Sequence, residues 1–356
     1  MTIFLLISGF VLLIVGAEAL VRGASRIAAT LGVKPLIIGL TIVSLGTSAP
    51  ELAISIHSSL AGKAGIALGN IIGSNIFNVL FILGLSALVV PLTVSQQLIR
   101  LDVPFMIGIS ILTLLLGLDG NIGQLDGGIL FTLAILYILF LIWQSRSENP
   151  LIEKEYEQQY SAEKLDHQPS WVRNISYVLA GLALLVLGSR WLVNSAVIIA
   201  EALGISELII GLTIIALGTS LPEVATSIVA GIRGERDIAV GNVVGSNLFN
   251  LMAVLGLTGI VAPGGITITR EVLEFDLPVM IAVAVACLPI FFTGHLIARW
   301  EGALFLGYYV VYSLYLFLAA SRSQELPFFE HVMMWFVIPL TVITLGVGTY
   351  RALRAR

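Results

Sequence analysis

Charge is scarce in this 356-residue chain: 11% of its residues are Asp, Glu, Lys or Arg, against 58% hydrophobic. A soluble domain carries about 25% charged residues, so the two or three globules that this length would suggest could not be coated for water. Basic residues are outnumbered, 18 to 22, and form no stripe, which removes the footprint of a nucleic-acid binder. Cysteine is nearly absent. The single one, Cys287, lies in an apolar run and cannot form an intrachain disulfide. No HExxH or GxSxG motif occurs and no nucleophile–histidine pair recurs, which argues against an intramembrane enzyme. High apolar content also excludes disorder. What remains is a series of long hydrophobic runs with a mean hydropathy of +1.01, the mark of an all-α polytopic membrane protein.

Apolar runs of about 20 residues, the length that spans a bilayer core, are expected near 2–21, 36–61, 66–92, 103–118 and 125–143. A polar linker at 144–173 with six acids and four bases follows. Five more runs come near 174–193, 208–232, 238–262, 276–293 and 301–319, and an additional C-terminal one near 332–349 precedes a basic tail. The first run has no basic region before it and does not read as a signal peptide. With the N-terminus outside, 14 of the 18 lysines and arginines fall on the inner side and 4 on the outer. The positive-inside rule therefore predicts N-outside and C-inside, with the linker cytoplasmic.

Self-similarity is the strongest feature. Residues 39–85 align without gaps on 211–257 at an offset of 172, with 26 of 47 positions identical. GLTIVSLGTSAPELAISI pairs with GLTIIALGTSLPEVATSI, and GNIIGSNIFN with GNVVGSNLFN. Weaker echoes join Asp102-Val-Pro104 to Asp276-Leu-Pro278. The expected domains are a first repeat at 1–143, the linker at 144–173, a second repeat at 174–319, and an extra helix with its tail at 320–356. Each repeat holds five spans, an odd number, so the second copy enters the membrane from the opposite side. Such inverted repeats place a substrate site near the midplane, where broken helices of both halves meet. A channel, which lines one continuous pore, fits this plan less well.

Each repeat carries an acid deep in an apolar run, Glu51 and Glu223. A charge at that depth costs about 2.5–3.5 kcal/mol on insertion scales, and such a residue is functional by default. Both acids follow a helix-breaking cluster, LGTSAPE and LGTSLPE, where proline removes a donor and kinks the helix. The kink is expected to free carbonyls at 44–47 and 216–219 as hard ligands. Thr47 and Ser48 precede Glu51 by four and three residues, and Thr219 and Ser220 precede Glu223 likewise, so hydroxyls and carboxylate share a helix face. The next span adds Asn70, Ser74 and Asn78 at i, i+4 and i+8, matched by Asn242, Ser246 and Asn250. Asn75 and Asn247 fall off that stripe and are expected to cap or bridge the broken helix. His57, with no counterpart, is expected to pack in the core or at an interface, and Glu18, aligned with Arg190, to mark a helix end. An all-oxygen set suits Ca2+, or Na+ of similar size, and disfavours metals that prefer nitrogen and sulfur. Two carboxylates balance one Ca2+ or two Na+, so shared sites would make the ions compete.

The paired GTSxPE and GNxxGSNxFN motifs resemble the two alpha repeats of the sodium/calcium exchanger family, in its compact prokaryotic form, over residues 1–319. The resemblance implies ten core helices in inverted halves and Ca2+ exchanged for Na+ by alternating access. It implies Glu51 and Glu223 as shared carboxylates, Thr47 and Thr219 as calcium-site oxygens, and Ser48 and Ser220 as lining sodium sites. Ser74, Asn78, Ser246 and Asn250 would complete the cavity. Several relatives, including the potassium-dependent branch, place Asp where this chain has Asn250. Proton-coupled relatives carry another acid after the GN pair, and none follows here. Exchange driven by protons or potassium is the alternative. The linker is too short for the large regulatory domains of animal relatives. Ca2+ and Na+ are cargo, no cofactor, protein partner or nucleic acid is expected, and the location is the plasma membrane, the inner membrane in a Gram-negative cell.

Overall fold

The computed structural model describes residues 1–147, 171–203, 216–321, 323, 325–339, 341, 342, 346 and 350. Most of the 144–173 linker, the first part of the span expected at 208–232, and the later part of 332–349 with the basic tail lie outside the described residues.

The first repeat runs α1 (Thr2–Leu31), α2 (Pro35–Thr47), α3 (Ala49–Leu60), α4 (Ala64–Val89), α5 (Leu98–Asp119) and α6 (Gln124–Ser147). The second runs α7 (Trp171–Ala202), α8 (Leu221–Ile232), α9 (Arg236–Val261), α10 (Val272–Phe292) and α11 (Arg299–Ala320). The additional helix starts as α12 (Leu326–Val332), six residues before the apolar run suggested. Among the described residues, eight helices are long and apolar enough to cross a membrane, and the pair α2–α3, bent by 42°, makes a ninth.

Helix ends follow local chemistry. Pro50 and Pro222 sit in the first turn of α3 and α8, where a missing N–H costs nothing. Gly62 and Gly234 close the turns after those helices at φ 73° and 83°, a region only glycine enters without strain. Two expectations at helix ends are corrected. Helices α1 and α7 run to 30 and 32 residues, well past the apolar runs, because Arg22 and Arg26 in the first and Asn194 in the second continue the helices rather than end them. At 1.5 Å per residue α1 is about 45 Å long, more than the roughly 30 Å core, so it tilts or projects. Glu18 is therefore not a helix end. It lies inside α1, accepts from Arg22 Nε at 2.5 Å, and accepts from Arg233 Nε, at the end of α8, at 2.8 Å.

Contacts between the halves come in pairs exchanged by the repeat offset. Helices α1 and α7 cross antiparallel on glycines: a Cβ on Gly9 would lie 2.8 Å from the Gly188 carbonyl, and one on Gly16 2.9 Å from that of Gly181. Since 9 + 172 = 181 and 16 + 172 = 188, this seam is the repeat meeting its own copy. Helix α4 packs on α11 through Gly84 and Gly302, and α9 on α6 through Gly256 and Gly127. Two short antiparallel ladders repeat the exchange. Leu92–Thr93 (β1) pairs with Leu296–Ile297 (β4), and Asn121–Ile122 (β2) with Ile266–Thr267 (β3). Asp102 accepts from Tyr137 at 2.9 Å, and its equivalent Asp276 from Tyr312 at 3.2 Å. The fold is two inverted five-helix repeats that interlock, with α12 outside them.

Candidate cation site

The core of the molecule is α4 and α9, the most enclosed of the long helices. Both switch from α to a wider π turn at the same place, Asn78–Leu83 and Asn250–Val254, each beginning on an asparagine of the polar stripe. Turns of this kind recur at functional sites because they skip a rung of the backbone ladder. Against them lie the end of α2 and the starts of α3 and α8, and the first turns of α3 and α8 carry the acids.

Glu51 is 0% exposed and Glu223 1%. Each is tied to the other repeat. Ser48 Oγ donates to Glu223 Oε1 at 3.2 Å, and Ser220 Oγ to Glu51 Oε1 at 3.0 Å. Ser220 Oγ also lies 3.2 Å from Ser74 Oγ. Thr47 Oγ1 donates to Asn242 Oδ1 at 3.1 Å, and Thr219 Oγ1 to Asn70 Oδ1 at 3.3 Å. The amides in turn hold the helices that bear the acids, Asn70 Nδ2 donating to Ser55 Oγ and Asn242 Nδ2 to Ser227 Oγ, both at 3.0 Å. Nine of the twelve residues singled out by pattern are thus joined by hydrogen bonds, nearly all of which cross between the repeats, and Asn78, Ser246 and Asn250 are buried without a bond to any of them.

The cluster is rich in oxygens and poor in positive charge. Among the described residues neither glutamate has an ion-pair partner, and Glu51 Oε2, Glu223 Oε2, Asn78 Oδ1, Asn250 Oδ1 and Ser246 Oγ are buried without a hydrogen-bond partner. Unpaired buried carboxylate oxygens are expensive, and a desolvated cation is the species that would satisfy several at once. Among the described residues no group of three or more His, Cys, Asp or Glu is placed to hold a metal, so neutral oxygens must supply the remaining ligands. That is the donor chemistry of hard cations.

Three expectations change here. The Ser44 carbonyl is not free: it accepts the Ser48 amide at 3.0 Å, because the turn at Ser44–Thr47 stays helical up to the bend. Asn75 and Asn247 do not cap the broken helix; Asn247 joins α9 to α4, accepting from Asn78 and donating to the Asn75 carbonyl. His57 is exposed on α3, one turn from its end, where a polar ring meets interface or solvent instead of core. Pattern reading missed Ser55 and Ser227, 0% and 1% exposed, although each sits four residues after its glutamate at an identical repeat position.

The two sides of the cluster are not equally enclosed. Thr47 and Asn242 are 1% and 0% exposed, and α2 covers them, with Leu36 and Leu40 backbone against Gly241 and Gly245. Their equivalents Thr219 and Asn70 are half-buried, and Gly69 is exposed.

Known proteins resemble this chain in sequence and in fold. A family model described as sodium/calcium exchanger protein matches residues 1–143 and 174–318. The putative antiporter CaxA of Alkalimonas amylolytica is 40% identical over 322 residues, covering 89% of this chain and 98% of its own. The sodium/calcium exchanger MaX1 of Methanosarcina acetivorans is 33% identical over 345 residues, 88% of this chain and 97% of its own. The solved structure of the sodium-calcium exchanger NCX_Mj soaked with 2.5 mM Na+ and 0.1 mM Ca2+ superposes with a TM-score of 0.73 at 30% identity, over 87% of this chain and 96% of that one. With matching repeats, matching fold and a matched model on both halves, the chain belongs to the sodium/calcium exchanger family of membrane antiporters.

Proposed function

We propose that this protein exchanges Ca2+ for Na+ across the membrane, both ions using the one cluster centred on Glu51 and Glu223. The observation that carries this is the crosswise tie of Ser48 to Glu223 and Ser220 to Glu51. It brings one carboxylate from each repeat into a buried set in which, among the described residues, neither carboxylate has an ion-pair partner. Two negative charges match one Ca2+ or two Na+, and oxygens at Thr47, Thr219, Ser48, Ser220, Ser74, Ser246, Asn78 and Asn250 complete a flexible shell of the kind Ca2+ accepts. Asn70 and Asn242 serve by holding Thr219 and Thr47, whose hydroxyl hydrogens point at the amides and leave oxygen lone pairs for the ion. An ion of either kind must displace the other, because an empty or doubly filled set leaves uncompensated buried charge.

Access alternates by exchange of the two halves' conformations. The half-buried Asn70–Thr219 side opens at the end of the bundle that carries Lys63, and the sealed Thr47–Asn242 side closes at the end with Arg22 and Arg233. The charge count assigns the Arg22–Arg233 end to the cytoplasm, so this state faces outward with the N-terminus outside. The linker at 144–173 then lies in the cytoplasm, the repeats at 1–143 and 174–319 form the transport core, and the location is the plasma membrane.

Purified protein in sealed vesicles tests this. Ca2+ uptake is expected to follow an imposed Na+ gradient and to vanish without it. Uptake that ignores Na+ but follows a proton gradient would sink sodium coupling, and a panel of competing cations sets the preference.

A further inference from the structure

Asn75 and Asn247 are buried, 2% and 3% exposed, and the ion site as described gives neither a role. They occupy equivalent places one residue beyond Ser74 and Ser246, yet their bonds differ. Asn247 Oδ1 accepts from Asn78 Nδ2 at 3.0 Å, and Asn247 Nδ2 donates to the Asn75 carbonyl at 3.2 Å. The equivalent pair is not joined. Asn250 Nδ2 and Oδ1 and Asn75 Oδ1 are all buried without a partner, and Asn75 Nδ2 reaches only Met280 Sδ at 3.6 Å.

A side-chain amide presents a cation either its carbonyl oxygen, which attracts it, or its NH2 group, which repels it. The two ends have nearly the same shape, so packing alone does not choose between them. At Asn78 the choice is made by Asn247: with the NH2 group held, Oδ1 is the end left over, and it has no other partner. We infer that Asn247 is a positioning residue that turns the Asn78 oxygen toward the ion, and that Asn75 does the same for Asn250 when the halves exchange conformation. Each orienting bond crosses from one repeat to the other. Relative movement of the repeats therefore makes one as it breaks the other, so each state fixes the orientation of one amide and leaves the other free to turn. The inference rests on Asn78 and Asn250 being ion ligands, and its test separates the two ideas.

Ca2+ binding is measured by titration calorimetry on purified protein, and uptake in vesicles, for wild type, Asn247→Ala, Asn78→Asp and the double variant. Asn247→Ala is expected to weaken Ca2+ binding about tenfold, or 1.4 kcal/mol, while keeping most of the maximal uptake rate. An aspartate at 78 offers oxygen from either face and needs no orienting donor. In that background Asn247→Ala should change affinity less than about twofold. Equal losses in both backgrounds with a lowered melting temperature would mean a structural tie and overturn the inference. Unchanged affinity in Asn247→Ala would overturn it as well, and Asn247→Ser carries the same comparison should alanine prevent folding. Absence of Ca2+ binding by the wild type would instead remove the ion reading beneath it.

Discussion

The seam between α1 and α7 gives a prediction with a magnitude. An alanine at 16 places its Cβ 2.9 Å from the Gly181 carbonyl oxygen, 2.9 Å from the Leu185 nitrogen and 3.0 Å from Leu184 Cβ, where ordinary contact begins near 3.4 Å. Two of these three neighbours are backbone atoms, so no rotamer change relieves the clash and the helices must part by a few tenths of an ångström. Overpacking of this kind costs about 1–3 kcal/mol, and alanine returns roughly 1 kcal/mol of helix propensity over glycine. Gly108, on the exposed face of α5 with no atom within 4 Å of its added Cβ, receives only the propensity gain. The two substitutions should therefore differ by about 1–3 kcal/mol in stability, with Gly108→Ala at or above wild type. Heating purified protein in detergent and following the folded fraction by size-exclusion fluorescence ranks them. Because Gly181 faces Gly16, adding Gly181→Ala to Gly16→Ala should cost less than it does alone, the helices having already moved. A Gly16→Ala protein as stable as Gly108→Ala would refute the close crossing.

Glu51→Gln and Glu223→Gln should each abolish exchange in vesicles while the protein still inserts and elutes as a folded species; normal uptake by either would end the shared-carboxylate model. Glu18 joins Arg233 where α1 lies along α8, but the equivalent positions hold Arg190 and Ala61, and α7 barely meets α3. Glu18→Gln should consequently shift the resting population toward the opposite state by about twofold to fivefold, since a partly exposed ion pair contributes up to about 1 kcal/mol. A cysteine placed at exposed Gly69, where an added Cβ meets nothing within 4 Å, and labelled with a membrane-impermeant thiol reagent reads that balance, and equal labelling with and without Glu18→Gln would count against it. Tyr137→Phe removes the hydroxyl that Asp102 accepts, leaving a fully buried carboxylate short of a donor, and should cost about 1–3 kcal/mol of stability. Tyr312→Phe, beside the less buried Asp276, should cost less.

The polar positions were readable because a membrane makes them conspicuous. Glu51, Asn70 and Ser74 stand in apolar runs, and their recurrence 172 residues later marks them as one design used twice. The expected orientation rests on the same scarcity, since few basic residues are available and they fall unevenly. Helix length was not readable. Arg22 and Arg26 interrupt the hydropathy but not the helix, because backbone hydrogen bonds continue wherever packing holds them, and glycines at 9, 16, 181 and 188 hold α1 to α7. The heptad spacing of those glycines was present in the sequence but carries no signal until the crossing partner is known. The π turns at Asn78 and Asn250 left no trace in residue pattern, and neither did the unequal enclosure of Asn70 and Asn242. Equivalent residues cannot announce that they sit in different states.

The exchanged ladders bear on how the chain comes into being. β1 and β2, at the ends of α4 and α5, find their partners only in β4 and β3 of the second repeat. Gly84 and Gly127 likewise wait for Gly302 and Gly256. During synthesis the first five spans would enter the bilayer with their strand edges and glycine faces uncovered, and only α11, the final helix of the second repeat, closes against α4. Assembly is thus coupled to completion of the chain. A truncated product would be left with open edges, a ready target for quality-control proteases, and two halves made as separate polypeptides would have to find each other in opposite orientations before either could stand.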